Sequence, residues 1–439
     1  MTLHILFSHK KTACQPISGI LSAIHMSRET RGLFLTTPQL DARLLQIPGV
    51  LKAAQFYAEH FPQYAIEKNC IPDPNVLGPR GRLIHVSTAG ICGSDINMIR
   101  LAMDLSATID LPNVAPEQKT LFLQIQQMIG RQFLGWDLND ERIIAKTELG
   151  HEIFGTVEDG KPVIVYSKSN CSKFDDLQMR CPMCVSGHEN HCQYTNQGPV
   201  RGIGTGVGRR TKDGQNLGAG LSEWMITYDE DLIIPPPSIT KEQAVLTDVV
   251  ACGFNAVETA MEHMKNLKHE MPIMVVGGGM VGFATLIALH DLGFKNIHVL
   301  TKYKEQAGLV EKFGYTPVML GSNDYRTSKL NGQFPLVFEA VGSRQSLVDS
   351  IRFAQPLGCV VEVGLPHNVS SDHYLQSRNG VGTLPSFWAA KKHYQMAIEA
   401  LMKIPDTCQE IVYAGHSLET IEEALFPRDR KHLKHAVTF

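Results

Sequence analysis

The sequence predicts an α/β protein, a doubly wound parallel sheet accompanied by a second, β-rich domain, and two observations carry the first half of that expectation. Four apolar residues, Ile273 to Val276, run straight into GGGMVG at 277–282; a helical pattern then continues to Leu292, with Gly293 as its stop, and a second apolar run covers 297–300. Strand, glycine turn, helix and strand within about thirty residues make the βαβ unit of a dinucleotide-binding (Rossmann) fold. The second observation is repetition: PLVFEAVG at 335–342 and GCVVEVG at 358–364 are again apolar runs ending in glycine. Strands that end in glycines at a cleft are what a nicotinamide site requires, which brings Val341 and Gly364 into the expected site.

Within the turn, Gly277 permits the reversal, Gly279 lets the backbone approach a pyrophosphate, and Gly282 lets the helix sit close to the strand. Met280 and Val281 open the helix, whose free N–H groups and positive dipole end suit phosphate.

The totals set bounds on the rest. A chain of 439 residues with 43% hydrophobic and 19% charged content suits two ordinary globular domains. A formal net charge of −3 gives no sign of a nucleic-acid or membrane partner. The opening MTLHILFSHKK has neither the basic start nor the long apolar core of a signal peptide. Ten cysteines are too sparse for a disulfide scaffold, and the four between Cys171 and Cys192 suggest metal in a reducing compartment. The expected location is the cytoplasm.

Taken in order, residues 1 to 63 say least; apolar positions from Val50 to Phe61 at helical spacing predict an accessory helix. Strands follow at 64–68 and 82–88, the second running into AGICGSD at 89–95. LGHEIFGTV at 149–157 places His151 and Glu152 just before another strand, and PVIVY at 162–166 predicts the next.

GICGSD, GHEIFGTV and VVGGGMVG, in that order, resemble the zinc-dependent medium-chain dehydrogenases, the superfamily of alcohol, polyol and sugar dehydrogenases. The resemblance covers residues 64–439. It implies a GroES-like catalytic domain with an accessory N-terminal extension over 1–239, a Rossmann cofactor domain over 240–385, and a segment, 386–439, that returns to complete the catalytic domain. Association as a homodimer or homotetramer is implied as well.

Cys92, His151 and Glu152 offer a thiolate, an imidazole and a carboxylate, all suitable for Zn²⁺. The resemblance implies a third long-range ligand before the Rossmann domain, where AVLTDVVACGFN stands at 244–255. Counting from its Gly-Phe pair favours Asp248, with Cys252 the alternative used by another branch. Ser94 occupies the position of the hydroxyl that takes the substrate proton, and Asp95 that of the carboxylate orienting a ligating histidine. Two departures stand out. Asn97 replaces the histidine that often ends the proton relay, and it cannot take up a proton near neutral pH. The stretch between Cys92 and His151 is also far longer than in relatives, with an amphipathic helical pattern from Leu121 to Phe133 after Pro116.

The family's structural zinc lobe reads C-x2-C-x2-C-x7-C. Cys181, Cys184 and Cys192 match the last three positions, whereas nine residues separate Cys171 from Cys181. A longer loop can still return its thiolate, and a closed four-thiolate site serves folding.

The reaction so implied is zinc-assisted hydride transfer between a small alcohol or carbonyl substrate and a nicotinamide. NADP is expected over NAD, because about twenty residues beyond the glycine motif Thr301 and Lys302 stand where NAD-binding relatives place a carboxylate. Lys302 would neutralise a 2′-phosphate and Thr301 donate to it. Two rivals keep the same fold: a zinc-free NADPH-dependent reductase, and a nucleotide-binding protein without catalysis.

Overall fold

Six parallel strands form the first sheet of the computed structural model, in the spatial order Thr316–Met319, Ile297–Thr301, Ile273–Val276, Phe334–Glu339, Ala354–Glu362, Gly382–Pro385. Numbered along the chain this is 3-2-1-4-5-6, so the order reverses beside Ile273–Val276, and ligands of open α/β sheets bind at such a reversal. All four residues of Ile273–Val276 and all six of Phe334–Glu339 are buried, as strands covered on both faces must be. Met274, Val276, Leu300, Val337, Phe353 and Val360 belong to one core cluster here. Each large apolar side chain so buried contributes about 1.5–3 kcal/mol.

The glycine turn explains its own composition. Gly277 has φ +115°, and a Cβ there would lie 2.6 Å from Val341 Cγ2. A Cβ on Gly282 would lie 1.8 Å from the Gly277 carbonyl oxygen. The helix Met280–Asp291 can therefore pack against the turn only with glycine at 282.

The structure describes residues 28–36, 64–96, 146–166, 168, 170–173, 180–194, 200–203, 207–211, 215–322, 329–364, 373–427 and 430–439. The helix expected between Val50 and Phe61, Asn97 and the helical pattern from Leu121 to Phe133 lie outside these residues.

The chain divides into two compact units, one with residues 1–241, 414–427 and 435–439, the other with 242–413 and 428–434. The expected boundary stood at 386. Residues 386–413 cluster with the parallel-sheet unit, where helix Lys391–Met402 packs on Met280–Asp291. Three polar links fix that arrangement: Gln243 Nε2 donates to the Leu401 carbonyl at 2.9 Å, and Glu258 meets Lys392 Nζ at 2.6 Å and His393 Nε2 at 2.8 Å.

In the other unit, Gly81–Gly90 is the central strand of an antiparallel sheet. On one side come Glu152–Val157, Pro162–Val165 and Leu232–Ile233. On the other, Trp224–Tyr228 pairs with its first half and Lys434–Thr438 with its second, bringing the C-terminal strand against Gly90. Ile84, Val86, Ile91, Leu149, Ile153 and Met225 form the core beneath. A separate three-stranded sheet centres on Arg28–Thr36, flanked by Tyr64–Ile71 and Lys146–Glu148. That strand falls where the sequence was least informative.

Among the described residues only Lys241–His263 is long and apolar enough to cross a membrane, and 78% of its most apolar window is buried inside the protein. A core helix accounts for it.

Candidate metal centres and cofactor turn

Strand Gly81–Gly90 delivers the chain to the first centre, and the Ile91 N–H donates to the His435 carbonyl at 2.8 Å. One helical turn follows, closed by the Asp95 N–H to the Cys92 carbonyl at 3.1 Å. The fully buried Asp95 carboxylate ties two segments together: Oδ2 accepts from the Cys92 N–H at 2.9 Å, and Oδ1 from the Gly150 N–H at 3.2 Å. His151 Nδ1 lies 3.8 Å from Asp95 Oδ1, so the carboxylate sits behind the imidazole. Burial pushes the Asp95 carboxyl above its ordinary range, opposed by His151 and the two N–H donors.

Glu152 lies opposite Gly90 across the strand pair and is buried. A Cβ on Gly90 would fall 2.1 Å from Glu152 Oε2, so glycine there is what admits the carboxylate. The donor atoms of Cys92, His151 and Glu152 all lie within 4.8 Å of one another. A mixed sulfur, nitrogen and oxygen set of this kind suits Zn²⁺. Ser94, two residues after Cys92, has a buried Oγ with no hydrogen-bond partner among the described residues. An orphaned buried hydroxyl costs about 1–3 kcal/mol, and such groups in native proteins commonly serve chemistry or an unseen ligand.

Asp248 lies in the other unit, on Lys241–His263, buried and accepting a hydrogen bond from the Tyr394 hydroxyl. Cys252 comes one helical turn later, and residues four apart share a helix face, so facing does not separate the two candidates.

The second centre gathers Cys171, Cys181, Cys184 and Cys192, again with all donor atoms within 4.8 Å. The Cys171 that broke the expected spacing is therefore in the cluster. The Cys171 N–H donates to Cys192 Sγ at 3.2 Å, the Cys184 N–H to Cys181 Sγ at 3.4 Å and the Tyr194 N–H to Cys192 Sγ at 3.4 Å. Burial opposes ionisation of Cys181, yet N–H donors from Cys184 and Gln193 prevail and bring its thiol down to about 6. Burial pushes Cys184 and Cys192 up. Four sulfurs this close cannot all ionise without a cation between them. The lobe is anchored by Lys173, whose Nζ lies 2.5 Å from Asp231 Oδ1 in a buried ion pair.

The nucleotide-type residues converge in the parallel-sheet unit. Gly277 abuts Val341, and a Cβ on Gly364 would lie 2.4 Å from the Gly342 nitrogen, so three strand ends meet. Nothing lies within 4 Å of a Cβ built on Gly279, the position expected to face a pyrophosphate. Met280 and Val281 begin the helix as expected. Thr301 departs from expectation. It is fully buried and its hydroxyl donates to Met319 Sδ at 3.3 Å and the Val318 carbonyl at 3.5 Å, so it packs within the sheet and is not turned toward a phosphate. Lys302 is exposed.

Residues 241–439 match the family described as glucose dehydrogenase C-terminus. A protein described as a probable zinc-binding alcohol dehydrogenase of Mycobacterium tuberculosis is 24% identical over 69% of this chain and 66% of its own, just under two thirds of its length. The L-idonate 5-dehydrogenase structure from Escherichia coli superposes with TM-score 0.65 at 16% identity, covering 95% of this chain and all of that one. The chain therefore has the fold of these dehydrogenases. Haloferax mediterranei glucose dehydrogenase, solved with NADP, zinc and gluconolactone, has the same fold, with TM-score 0.62 at 16% identity over 93% of this chain and 99% of that one. Both clusters form in this chain with a long segment between Cys92 and His151.

Proposed function

We propose that this chain is a zinc-dependent oxidoreductase acting between a small alcohol (a secondary alcohol, polyol or sugar) and its carbonyl, with NADP(H) as the preferred cofactor. One observation supports the reading most: Cys92, His151 and Glu152 converge, and Ser94, two residues after Cys92, carries a buried Oγ with no partner among the described residues. In this proposal Cys92 and His151 hold the catalytic zinc, with Glu152 as an exchangeable ligand. The bound metal supplies Lewis acidity toward the substrate oxygen, and the nicotinamide supplies hydride capacity. Ser94 receives and returns the hydroxyl proton, for which an uncommitted, buried O–H is suited. Asp95 orients the His151 ring and so fixes which nitrogen faces the metal. The four cysteines of the other cluster hold a structural zinc, since a closed thiolate set leaves no place for substrate.

NADP(H) preference rests on the segment after Ile297–Thr301, which carries Lys302, Tyr303 and Lys304 and no carboxylate. A carboxylate would repel a 2′-phosphate, whereas an ammonium neutralises it. A cytoplasmic homodimer or homotetramer completes the proposal. The test is a screen of NADP⁺ reduction over secondary alcohols, polyols and aldoses, with elemental analysis of the same preparation. Zinc-dependent turnover of one class is expected. Turnover by metal-free protein would favour the zinc-free reductase, and cofactor binding without turnover of any substrate the non-catalytic reading.

A further inference from the structure

The cationic groups at the end of Ile297–Thr301 are more numerous than the local sequence shows. Lys302 Nζ lies 5.5 Å from the centre of the Tyr303 ring. The guanidinium carbon of Arg430 lies 4.0 Å from the centre of the same ring. Both contacts fall within the parallel-sheet unit, to which residues 428–434 belong. Arg430 is brought there by a pinned segment: the Leu433 N–H donates to the Ile411 carbonyl at 2.9 Å, and His432 packs on Tyr413 at 5.5 Å between ring centres.

The loop beneath is held in one shape. Gln306 Oε1 accepts from the Lys302 N–H at 3.2 Å and the Tyr303 N–H at 3.4 Å. Gln306 and Thr301 are also the side chains that a Cβ on Gly278 would strike, which puts this loop against the glycine turn. Neither Lys302 nor Arg430 forms an ion pair with a described residue, and both side chains are exposed. Two like charges gathered on one ring repel each other, and stacking on Tyr303 offsets that only in part. An anion that reaches both cations offsets the repulsion. A guanidinium offers two parallel N–H donors to a phosphate, which an ammonium cannot.

We propose that Arg430, reaching back from the C-terminal segment, is a specificity-determining residue that binds the 2′-phosphate of NADP(H) together with Lys302. The inference rests on the NADP(H) reading above and adds to it a residue far away in sequence. It also supplies the hydrogen-bond donor that buried Thr301 does not.

The experiment is equilibrium titration of NADPH and NADH into the zinc-loaded full chain, wild type and Arg430→Ala, with Arg430→Gln as a second variant. Melting temperatures are recorded for each. NADPH affinity is expected to fall roughly ten- to a hundredfold in both variants. NADH affinity should change by less than about threefold, and the wild-type preference for NADPH should shrink as salt rises. Wild type that binds NADH as tightly as NADPH would overturn the cofactor reading and this inference together. Wild type that prefers NADPH, with variants that lose nothing or lose both nucleotides equally, would overturn Arg430 alone; equal loss would make it an adenine-stacking residue.

Discussion

The two metal-type clusters share a unit and much of their chemistry, yet they are built in opposite ways. The four-cysteine lobe is local: its ligands fall between Cys171 and Cys192, and backbone N–H groups of the lobe itself point at the sulfurs. The other cluster is assembled from two distant segments, with the Asp95 carboxylate binding the Cys92 and Gly150 backbones together. Its donor set is mixed, and Ser94, two residues after Cys92, carries a hydroxyl with no partner among the described residues. A local, closed, homogeneous set is suited to holding a fold. An assembled, mixed set with spare hydrogen-bonding capacity is suited to chemistry. The difference teaches that ligand type alone does not assign a role; what stands behind the ligands does.

Cys92→Ser should draw the sharpest line between the two. Turnover is expected to fall by roughly a thousandfold or more, the kinetic equivalent of several kcal/mol, with melting temperature little changed. Ser94→Ala probes the same side and should cost about 10²- to 10⁴-fold in kcat while zinc content stays at the wild-type level. A Ser94→Ala enzyme with full activity would return that hydroxyl to mere packing.

Cys184→Ser in the lobe should do the reverse. Stability is expected to drop by about 2–5 kcal/mol, with zinc lost from the lobe, and any protein that stays folded should keep its intrinsic turnover per catalytic zinc. Asp95→Asn sharpens the argument about support. It leaves all three ligands in place, so a ten- to hundredfold loss of metal affinity or kcat, of about 1.4–2.7 kcal/mol, is expected from disorientation of His151. Unaltered zinc affinity and an unaltered pH profile would remove Asp95 from that role.

The smallest effect lies in the other unit. Burial works against the Glu258 carboxylate, but Lys392 and His393 hold it below its ordinary range. A carboxyl whose folded pKa lies below the unfolded one stabilises fully above the unfolded value and loses that contribution as pH falls through the folded value. Wild type should therefore lose stability below about pH 4.3 more steeply than Glu258→Gln. Because the side chain keeps 33% of its surface exposed to screening solvent, the difference should stay under about 1 kcal/mol. Parallel melting curves for the two proteins across pH 3–6 would refute it.

Much of this was legible in the sequence because it depends on local constraints. The turn at 277–282 admits few residues, and a Cβ at Gly282 collides with the backbone whatever its surroundings. Cys92, His151 and Glu152, expected as ligands from their chemistry and order, are brought within 4.8 Å of one another. The illegible parts depend on distant partners. Arg28–Thr36 is a strand because two others flank it. Residues 386–413 join the parallel-sheet unit through links from Lys392, His393 and Leu401 to helix Lys241–His263. Thr301 reads as a phosphate donor by position, but strand Thr316–Met319 supplies the neighbours that take up its hydroxyl. Arg430 had no local signal at all.

The most direct test of the contrast is zinc content per chain, measured by elemental analysis on wild type and Cys92→Ser after desalting. Two zincs in wild type are expected, and one in the variant, which should be folded, inactive and still able to bind NADPH. A wild type with one zinc or none, or a Cys92→Ser protein that keeps two zincs and full turnover, would contradict the division of labour between the two clusters.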